Sequence, residues 1–521
     1  MDSGSPDASA VDVAIIGAGF CGSMVAVNLL RKAKQHIDVA LIERSGSFAR
    51  GLAYGTTDRS HLLNVPAAKM GAFPDDHEHF YRWACENPEE LKRQGVHAVE
   101  PHSFLPRVLY GKYLTGLLDQ VDSGRGSLRR ITAEAIDVAP QANGRFRVKL
   151  RNAPALIAQH VVLALGNFPP GDPKLRDQRY HRVERYLENP WSEETREKLA
   201  EAGDVLILGS GLTGLDLLLS LAPLKSQGTI HVLSRRGLFP RPHRAVKPSS
   251  SFLDEKLLPR TARQACRLIR VQVKQADARG IDWRAVIDSI RPYSQRIWQQ
   301  WPTGERRRFL RHLKAFWESH RHRAAPEALE LKFQLEKAGR LQCHRGRIFS
   351  ISPEKDFLSV QFRDSIAHSE RALRVSYVVN CTGPECNYHK LTDPLVVQLF
   401  SRGIIVPDPL FLGLDVGLGG TILNLQGERV THLHTLGSPQ KGILFETTAV
   451  QELREQAAEL AGRILYQLEH RRNSHALDQS EHAPAAFQIQ AKRRMGERAH
   501  RRSAMKPIFG RAKNSARIGR D

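Results

Sequence analysis

Along residues 11–44, apolar positions come in two nearly continuous runs with a helically spaced run between them. VDVAIIGAGFCG (11–22) starts as an apolar run interrupted only by Asp12, reads as a strand, and breaks at three glycines. MVAVNLLRKA continues as a helix, and VALIER (39–44) is a second buried strand. The same order returns about 190 residues later: DVLILGSGLTG (204–214) restarts it, LDLLLSLAPL is the helix, and TIHVLSRRG (229–237) carries the following strand. A βαβ unit repeated once at so long a spacing predicts two nucleotide-binding modules, not a solenoid.

Between the repeats, residues 45–87 are irregular, while FRVKL (146–150) and HVVLAL (160–165) read as strands, the second ending on Gly166. From about 251 to 330 the spacing turns helical. Phe309, Leu310, Leu313, Phe316 and Trp317 fall on one face of a helix, and Trp283, Trp298 and Trp301 lie nearby among arginines. Basic residues interleaved with aromatics can bind nucleic acid. Apolar residues that hold helical spacing favour instead a helical insertion with its aromatics packed inward. SYVVNCTG (376–383) is again a strand, and LHTLGSPQKGILFETTAVQELREQA (433–457) reads as strand, glycine loop and helix.

This order predicts an α/β chain with two Rossmann-like βαβ modules. A flexible N-terminus covers 1–10. The first module runs over 11–195 and is completed by a returning part at 371–470. The second occupies 196–370 and carries the helical insertion at about 251–330, and a basic tail fills 471–521.

Composition changes this picture little. The 521 residues are 41 % hydrophobic and 25 % charged, ordinary for a soluble chain. MDSGSPDASA has neither a basic n-region nor an apolar h-region, so no signal peptide is expected. Residues 13–30 are apolar enough to imitate a membrane span, but their glycine spacing favours a buried βα unit. Six scattered cysteines without a CxxC suit a reducing compartment, and a cytoplasmic location is expected. The formal charge is +22. From residue 491 onward eleven basic residues face two acidic ones, so +9 of it sits in the tail. That tail reads as disordered and solvated, with nucleic acid an unlikely partner and no membrane role. The remaining positive charge would draw a small anion toward the folded body.

The chemistry lies in the glycines. In Gly17-Ala18-Gly19-Phe20-Cys21-Gly22, Gly17 allows the tight turn and Gly19 lets the backbone approach a pyrophosphate. Gly22 lets the helix pack on the strand, and the helix N-terminus favours phosphate. Glu43, 26 residues after Gly17, ends the next strand, where a carboxylate accepts hydrogen bonds from ribose hydroxyls. The second motif is Gly209-Ser210-Gly211-Leu212-Thr213-Gly214. Counting 26 residues from Gly209 lands on Arg235, which cannot accept from a ribose but can pair with a 2′-phosphate. Ser234 and Arg236 would add contacts. The first module therefore suits FAD and the second NADPH. Arginines also stack on adenine, which leaves NADH open.

Two dinucleotides in one chain imply that one reduces the other, the arrangement of a two-dinucleotide-binding-domain flavoprotein. Disulfide reductases, simple reductases and monooxygenases share it. Disulfide reductases place a redox CxxxxC soon after the first ribose-binding acid, whereas here 45–87 holds only Cys85. Cys381 and Cys386 lie far downstream in NCTGPEC and read as structural. The stretch GLAYGTTDRSHLLNVPAAKMGAFPDD (51–76) is irregular but apolar, with His61, Asn64 and Lys69 embedded. An apolar bed with a few donors is what a flavin ring needs. Pattern alone also allows a plain covering loop. With Gly166, Gly437 and Gly442, His61 and Asn64 complete the expected cofactor-binding set.

The segments GLAYGTT…HLLNVPAAKM…FPDD, FLPRVLYGKYL (104–114), YLENPW (186–191), GSGLTGLD, SRRG and LFETTAVQELREQA together resemble a family of FAD/NAD(P)-binding proteins. That family includes an FAD-dependent urate hydroxylase and an aspartate N-monooxygenase. The likeness spans 11 to about 460 and omits the tail. It implies a flavin monooxygenase in which NAD(P)H reduces FAD and O2 then delivers one oxygen atom to substrate. It also implies that the 51–76 block lies near the flavin. Urate, hydroxylated to 5-hydroxyisourate, is the expected small anionic substrate. N-hydroxylation of aspartate or another amine is the alternative, and a non-oxygenating NAD(P)H:flavin oxidoreductase stands beside both. No motif marks a catalytic acid or base, and none marks a metal.

Overall fold

The computed structural model describes residues 8–121, 126–224 and 228–474. The expectations for residues 1–7 and for the tail beyond 474 fall outside the described residues. Strands β1 (Ser9–Ile16), β2 (Ile37–Glu43), β3 (Gly126–Thr132), β4 (Ala135–Pro140), β5 (Phe146–Leu150) and β6 (Ala153–Leu163) open the first sheet. Strands β7 (Tyr186–Leu187), β8 (Val205–Leu208), β9 (Ile230–Ser234), β10 (Leu341–Pro353), β11 (Leu358–Asp364), β12 (Glu370–Val375) and β13 (Tyr377–Asn380) form the second. Strands β14 (Thr421–Leu423) and β15 (Arg429–Thr435) then return to the first.

In the first sheet β15, β6, β1, β2 and β3 run parallel in that spatial order, with β14 antiparallel at the edge and β4–β5 a hairpin on β6. In the second, β10, β9, β8, β13 and β7 are parallel and β11–β12 extend the edge as an antiparallel pair. Sheets of this kind need helices on both faces, which explains why β8 is wholly apolar and why β1 and β9 are apolar inside their end residues but for Asp12 and His231.

The sheets move two expected boundaries: β7, within the 11–195 span expected for the first module, pairs with β13 at the edge of the second sheet. Tyr377–Asn380 was placed with the part returning to the first module from 371, but β13 pairs in parallel with β8 of the second sheet. Its buried Val378 and Val379 are covered by the second module, and Gly209 sits against the Cys381 carbonyl. The return to the first sheet is made only by β14 and β15.

Helix α1 (Phe20–Lys32) follows the first glycine loop, α2 (Arg107–Asp119) packs beside it, and α3 (Leu212–Leu221) follows the second loop. The insertion is helical as expected: α4 (Ala262–Asp277), α5 (Trp283–Gln300), α6 (Thr303–His312) and α7 (Lys314–Arg321). Next comes α8 (Pro326–Lys337), which packs on the second sheet, and α9 (Val450–Ser474) follows β15. The aromatic stripe at 309–317 is split between α6 and α7 at Leu313. Phe309, Trp298 and Trp301 are buried together with Phe445, whereas Phe316 is 44 % exposed. Core packing therefore takes most of the aromatics. Among the described residues no helix is long and apolar enough to cross a membrane.

Candidate functional site

At the carboxyl ends of β1, β2, β6 and β15, four loops meet. Gly17 has φ +98°, and a Cβ there would lie 2.3 Å from the Ala164 carbonyl oxygen, so the β1 turn and the end of β6 tolerate only glycine. A Cβ on Gly22 would fall 1.9 Å from the Gly17 carbonyl oxygen, the close helix-to-strand packing expected of the third glycine. Gly19 is the N-cap of α1 and offers no side-chain cap, so the first N–H groups of the helix remain for an anion. Gly51 at φ +55° abuts Gly19, which brings the start of the 51–76 stretch onto this loop.

Glu43 closes the arrangement. Its Oε2 accepts from the Ala18 N–H at 3.0 Å and its Oε1 from the Ser45 N–H and hydroxyl at 3.0 and 2.9 Å. Each carboxylate oxygen has two lone pairs, so Oε1 is filled and Oε2 keeps one acceptor site for a ribose hydroxyl. Gly166 (φ +64°) has open space where a Cβ would point, and the Ser438 hydroxyl donates to Asn167 Oδ1 at 2.6 Å, joining the 166 and 437 loops. Gly437 (φ +74°) lies over Cys21 at the start of α1. Gly17, Gly19, Gly22, Glu43, Gly166 and Gly437 are thus one cluster.

Gly442 does not belong to it. Its Cβ position is filled by the Asp408 side chain, and its carbonyl accepts from Trp298 Nε1 at 2.9 Å. It is small because the insertion packs there.

His61 also leaves the expected set. Its Nε2 lies 2.8 Å from Ser220 Oγ on α3, and its Nδ1 2.8 Å from Thr56 Oγ1. Ser220 donates its one proton to Asp58 Oδ2 at 2.7 Å, so His61 donates through Nε2–H and accepts at Nδ1. Burial pushes the imidazole down to about 4, which keeps it neutral. Both ring nitrogens are engaged: Nε2 joins the 51–76 stretch to the second module, and Nδ1 braces the ring on Thr56 within that stretch. Beside them Arg107 Nη2 pairs with Asp216 Oδ2 of α3 at 2.8 Å, with both side chains almost wholly buried. Burial raises the Asp216 carboxyl to about 6, against the pull of Arg107. Arg107 and Asp216 escaped the sequence reading although both stand in the segments FLPRVLYGKYL and GSGLTGLD. A buried charge cannot be told from a surface one without its partner.

Asn64 keeps its side-chain amide uncommitted among the described residues, while its carbonyl meets His243 Nε2 at 2.8 Å. The stretch around it is apolar and buried at Leu63, Met70, Ala72 and Phe73.

In the second module, Gly209 (φ +108°) and Gly214 repeat the close contacts of Gly17 and Gly22. Gly211 N-caps α3 without a side-chain cap and faces open space. The register differs by one. The Gly17 N–H donates to the Ile42 carbonyl and the Gly209 N–H to the Leu233 carbonyl, both at 2.9 Å. Ser234, not Arg235, therefore stands where Glu43 stands. Ser234 Oγ lies 2.8 Å from Ser210 Oγ and accepts from the Gly237 N–H at 3.0 Å. Arg235 is exposed, and Arg236 lies over the Phe316 ring at 5.0 Å.

Residues 14–168 match the model of an FAD-NAD(P)-binding family. No curated protein matches the chain. Among solved structures it resembles an ornithine N-hydroxylase from Kutzneria sp. 744, at 13 % identity and TM-score 0.59, covering 88 % of this chain and 100 % of that one. L-lysine 6-monooxygenase from Pseudomonas syringae matches at 16 % and 0.57, covering 88 % and 99 %. Bacillithiol disulfide reductase from Staphylococcus aureus matches at 14 % and 0.52, also covering 88 % and 99 %. At these identities the likeness shows the fold, a two-dinucleotide-binding-domain flavoprotein, and the fold is shared by oxygenases and disulfide reductases alike.

The cysteines speak to that difference. All six are free thiols. Cys381 is buried, and burial pushes its thiol well above the usual range, away from the thiolate that exchange needs. Cys386 sits against the Pro384 carbonyl.

Outside the dinucleotide loops, a cavity of about 430 Å³ lies between α5, the Gly417–Gly419 turn and one face of α9. Its charged lining is Glu452, Glu455 and Glu459 against Arg291 and Arg463. Arg291 Nη2 donates to Glu452 Oε1 at 2.7 Å, and Arg463 donates to the Gly419 carbonyl.

Proposed function

We propose that the chain is an FAD- and NAD(P)H-dependent monooxygenase that N-hydroxylates a small amine. The residues of the first cluster fit FAD: an uncapped helix start for the pyrophosphate, Glu43 for the ribose, and glycines whose missing side chains let the loops approach one another and, at Gly166, leave open space. The chemistry FAD supplies when bound is two-electron transfer from NAD(P)H to O2. The chain's own residues bind, orient and shield. Met70, Ala72 and Phe73 keep water from the bed beside Asn64, whose amide is free to donate. The His61–Ser220 and Arg107–Asp216 contacts hold the coenzyme module against that bed. No titratable side chain is assigned to the oxygen transfer.

The observation that favours an amine over urate is the cavity. The protein is strongly basic, yet this cavity between the insertion and the returning segment carries more carboxylates than guanidinium groups. A urate anion gains nothing there, whereas an ammonium does. The ornithine and lysine monooxygenases that share the fold act on amines, in keeping with this choice. Urate hydroxylation, and aspartate among the amines, are the competing readings. The deciding experiment is NAD(P)H oxidation by the FAD-loaded enzyme with diamines, basic amino acids, aspartate and urate, scoring peroxide and hydroxylamine. Coupled hydroxylamine formation with an amine supports the reading. Coupled loss of urate, or peroxide alone with every compound, defeats it.

A further inference from the structure

We propose that Arg345, on the strand beside the expected ribose-binding turn, is the second cation of a 2′-phosphate clamp, an inference that rests on NAD(P)H binding at the second module. Three observations lead to it. First, the register places Ser234 at the ribose position, so the module has no carboxylate to receive a 2′-hydroxyl. Second, β10 runs parallel to β9 with Arg345 opposite Ser234, and Leu341 opposite Ile230. Alternation along the strands therefore puts Arg345 on the same face as Leu341, and Leu341 packs with Ile230, Val232 and the leucines of α3. That is the face whose helix begins at Gly211. Third, the stem of Arg345 lies along the Ser234–Gly237 turn. A Cβ on Gly237 would meet its Cβ, Cγ and Cδ at 3.2, 3.6 and 3.8 Å.

Gly237 has φ +62°, and its lack of a side chain leaves room for that stem. Arg345 is exposed, and its guanidinium makes no ion pair or hydrogen bond among the described residues. Arg235 is likewise exposed, with no side-chain ion pair or hydrogen bond among the described residues, while Arg236 lies over the Phe316 ring. Two unpaired guanidinium groups thus flank one turn from two strands. A doubly charged phosphate held from both sides satisfies them, and a bare ribose does not. Sequence spacing could not suggest Arg345, because it lies 110 residues from Arg235.

The test is anaerobic flavin reduction in the FAD-loaded full chain, with NADPH and NADH compared and 2′,5′-ADP and 5′-AMP as competitors. Because neither O2 nor substrate enters, the result does not depend on which compound is hydroxylated. Arg345→Ala should weaken NADPH and 2′,5′-ADP about 10- to 100-fold, leave NADH and 5′-AMP within about twofold, and be partly rescued by Arg345→Lys. An equal loss for both coenzymes, or no loss for NADPH while the wild type prefers it, overturns the role of Arg345 alone. A wild type that does not distinguish the coenzymes removes the phosphate and the clamp together. Arg345 is a surface residue, so flavin content serves as the check on folding.

Discussion

Ser234 occupies in the second module the place that Glu43 occupies in the first. Each follows the residue whose carbonyl receives the N–H of the first loop glycine, Ile42 for Gly17 and Leu233 for Gly209. Each also turns its side chain back to the residue after that glycine, Glu43 to the Ala18 N–H and Ser234 to the Ser210 hydroxyl. Two copies of one βαβ plan thus carry a carboxylate and a hydroxyl at the same position.

Restoring the acid should therefore change the coenzyme. Ser234→Glu would set a carboxylate beside the position of a 2′-phosphate and offer an acceptor to a 2′-hydroxyl. NADPH use should fall at least 10-fold in kcat/KM, and NADH use should hold or rise. Steady-state kinetics with both coenzymes would check this. An unchanged preference would mean that Ser234 does not face the ribose.

The first module should lose FAD when its cluster is disturbed. Glu43→Ala removes a ribose acceptor, and Gly19→Val puts a branched side chain at the helix start where the pyrophosphate approaches. Both variants should retain less flavin, measured as absorbance per protein after gel filtration, with the folded far-ultraviolet spectrum kept. Gly17→Ala should instead damage the fold, because its Cβ meets the Ala164 carbonyl oxygen at 2.3 Å.

Sequence spacing reveals local geometry well and long-range pairing poorly. The glycine loops, Glu43 and the repeat were legible because a βαβ turn needs glycine at fixed offsets within about 30 residues. Counting 26 residues points to Arg235, but the second unit takes 25 from its first glycine to the matching strand end: the helix, the link after it and the strand all differ in length, by amounts that leave a net shift of one. His61 looked like a flavin donor because a buried polar residue in an apolar loop calls for a partner. The partner is Ser220, 159 residues away, and spacing carries no trace of it. Gly442 sat in a glycine-rich loop, but its smallness serves Asp408 and Trp298.

The junction should be acid-sensitive through His61. Its folded-state value of about 4 lies below the unfolded value of about 6.5. Its contribution is therefore fully present above about pH 6.5 and is lost as the pH falls toward 4, where the unfolded chain binds the proton more readily. Asp216, raised to about 6, works in the opposite sense between about pH 4 and 6, since its folded form takes up the proton first. The two effects offset in the wild type. The stability advantage of wild type over His61→Gln, which holds Asp216 constant, should shrink by up to about 3 kcal/mol between pH 6.5 and 4. Denaturant titrations across that range would show it. A constant difference would mean that His61 is not held neutral.

Replacing both Cys381 and Cys386 by serine should leave flavin reduction and turnover within about twofold, because a buried protonated thiol cannot relay electrons to a partner. Loss of reduction in a double variant with full flavin content would restore the disulfide-reductase reading, which the fold alone permits.

Ionic strength should separate the two substrate classes. A net charge of +22 repels a cation and attracts an anion at long range, and the Debye length shrinks from about 30 Å at 0.01 M to about 8 Å at 0.15 M. For an anion such as urate, added salt removes an attraction, so kcat/KM should fall. For a diamine or basic amino acid, salt removes a repulsion, so kcat/KM should hold or rise. On the proposed reading, the cavity's carboxylates would meet an ammonium at contact distance, where screening is weaker than at the open surface. The measurement is kcat/KM for hydroxylamine formation with sodium chloride varied at fixed pH, alongside the same series with urate. A rise or plateau with the amine and no coupled turnover of urate is the expected pair of results. A steep fall with the only compound that turns over would mark that compound as an anion and move the assignment back to urate or aspartate.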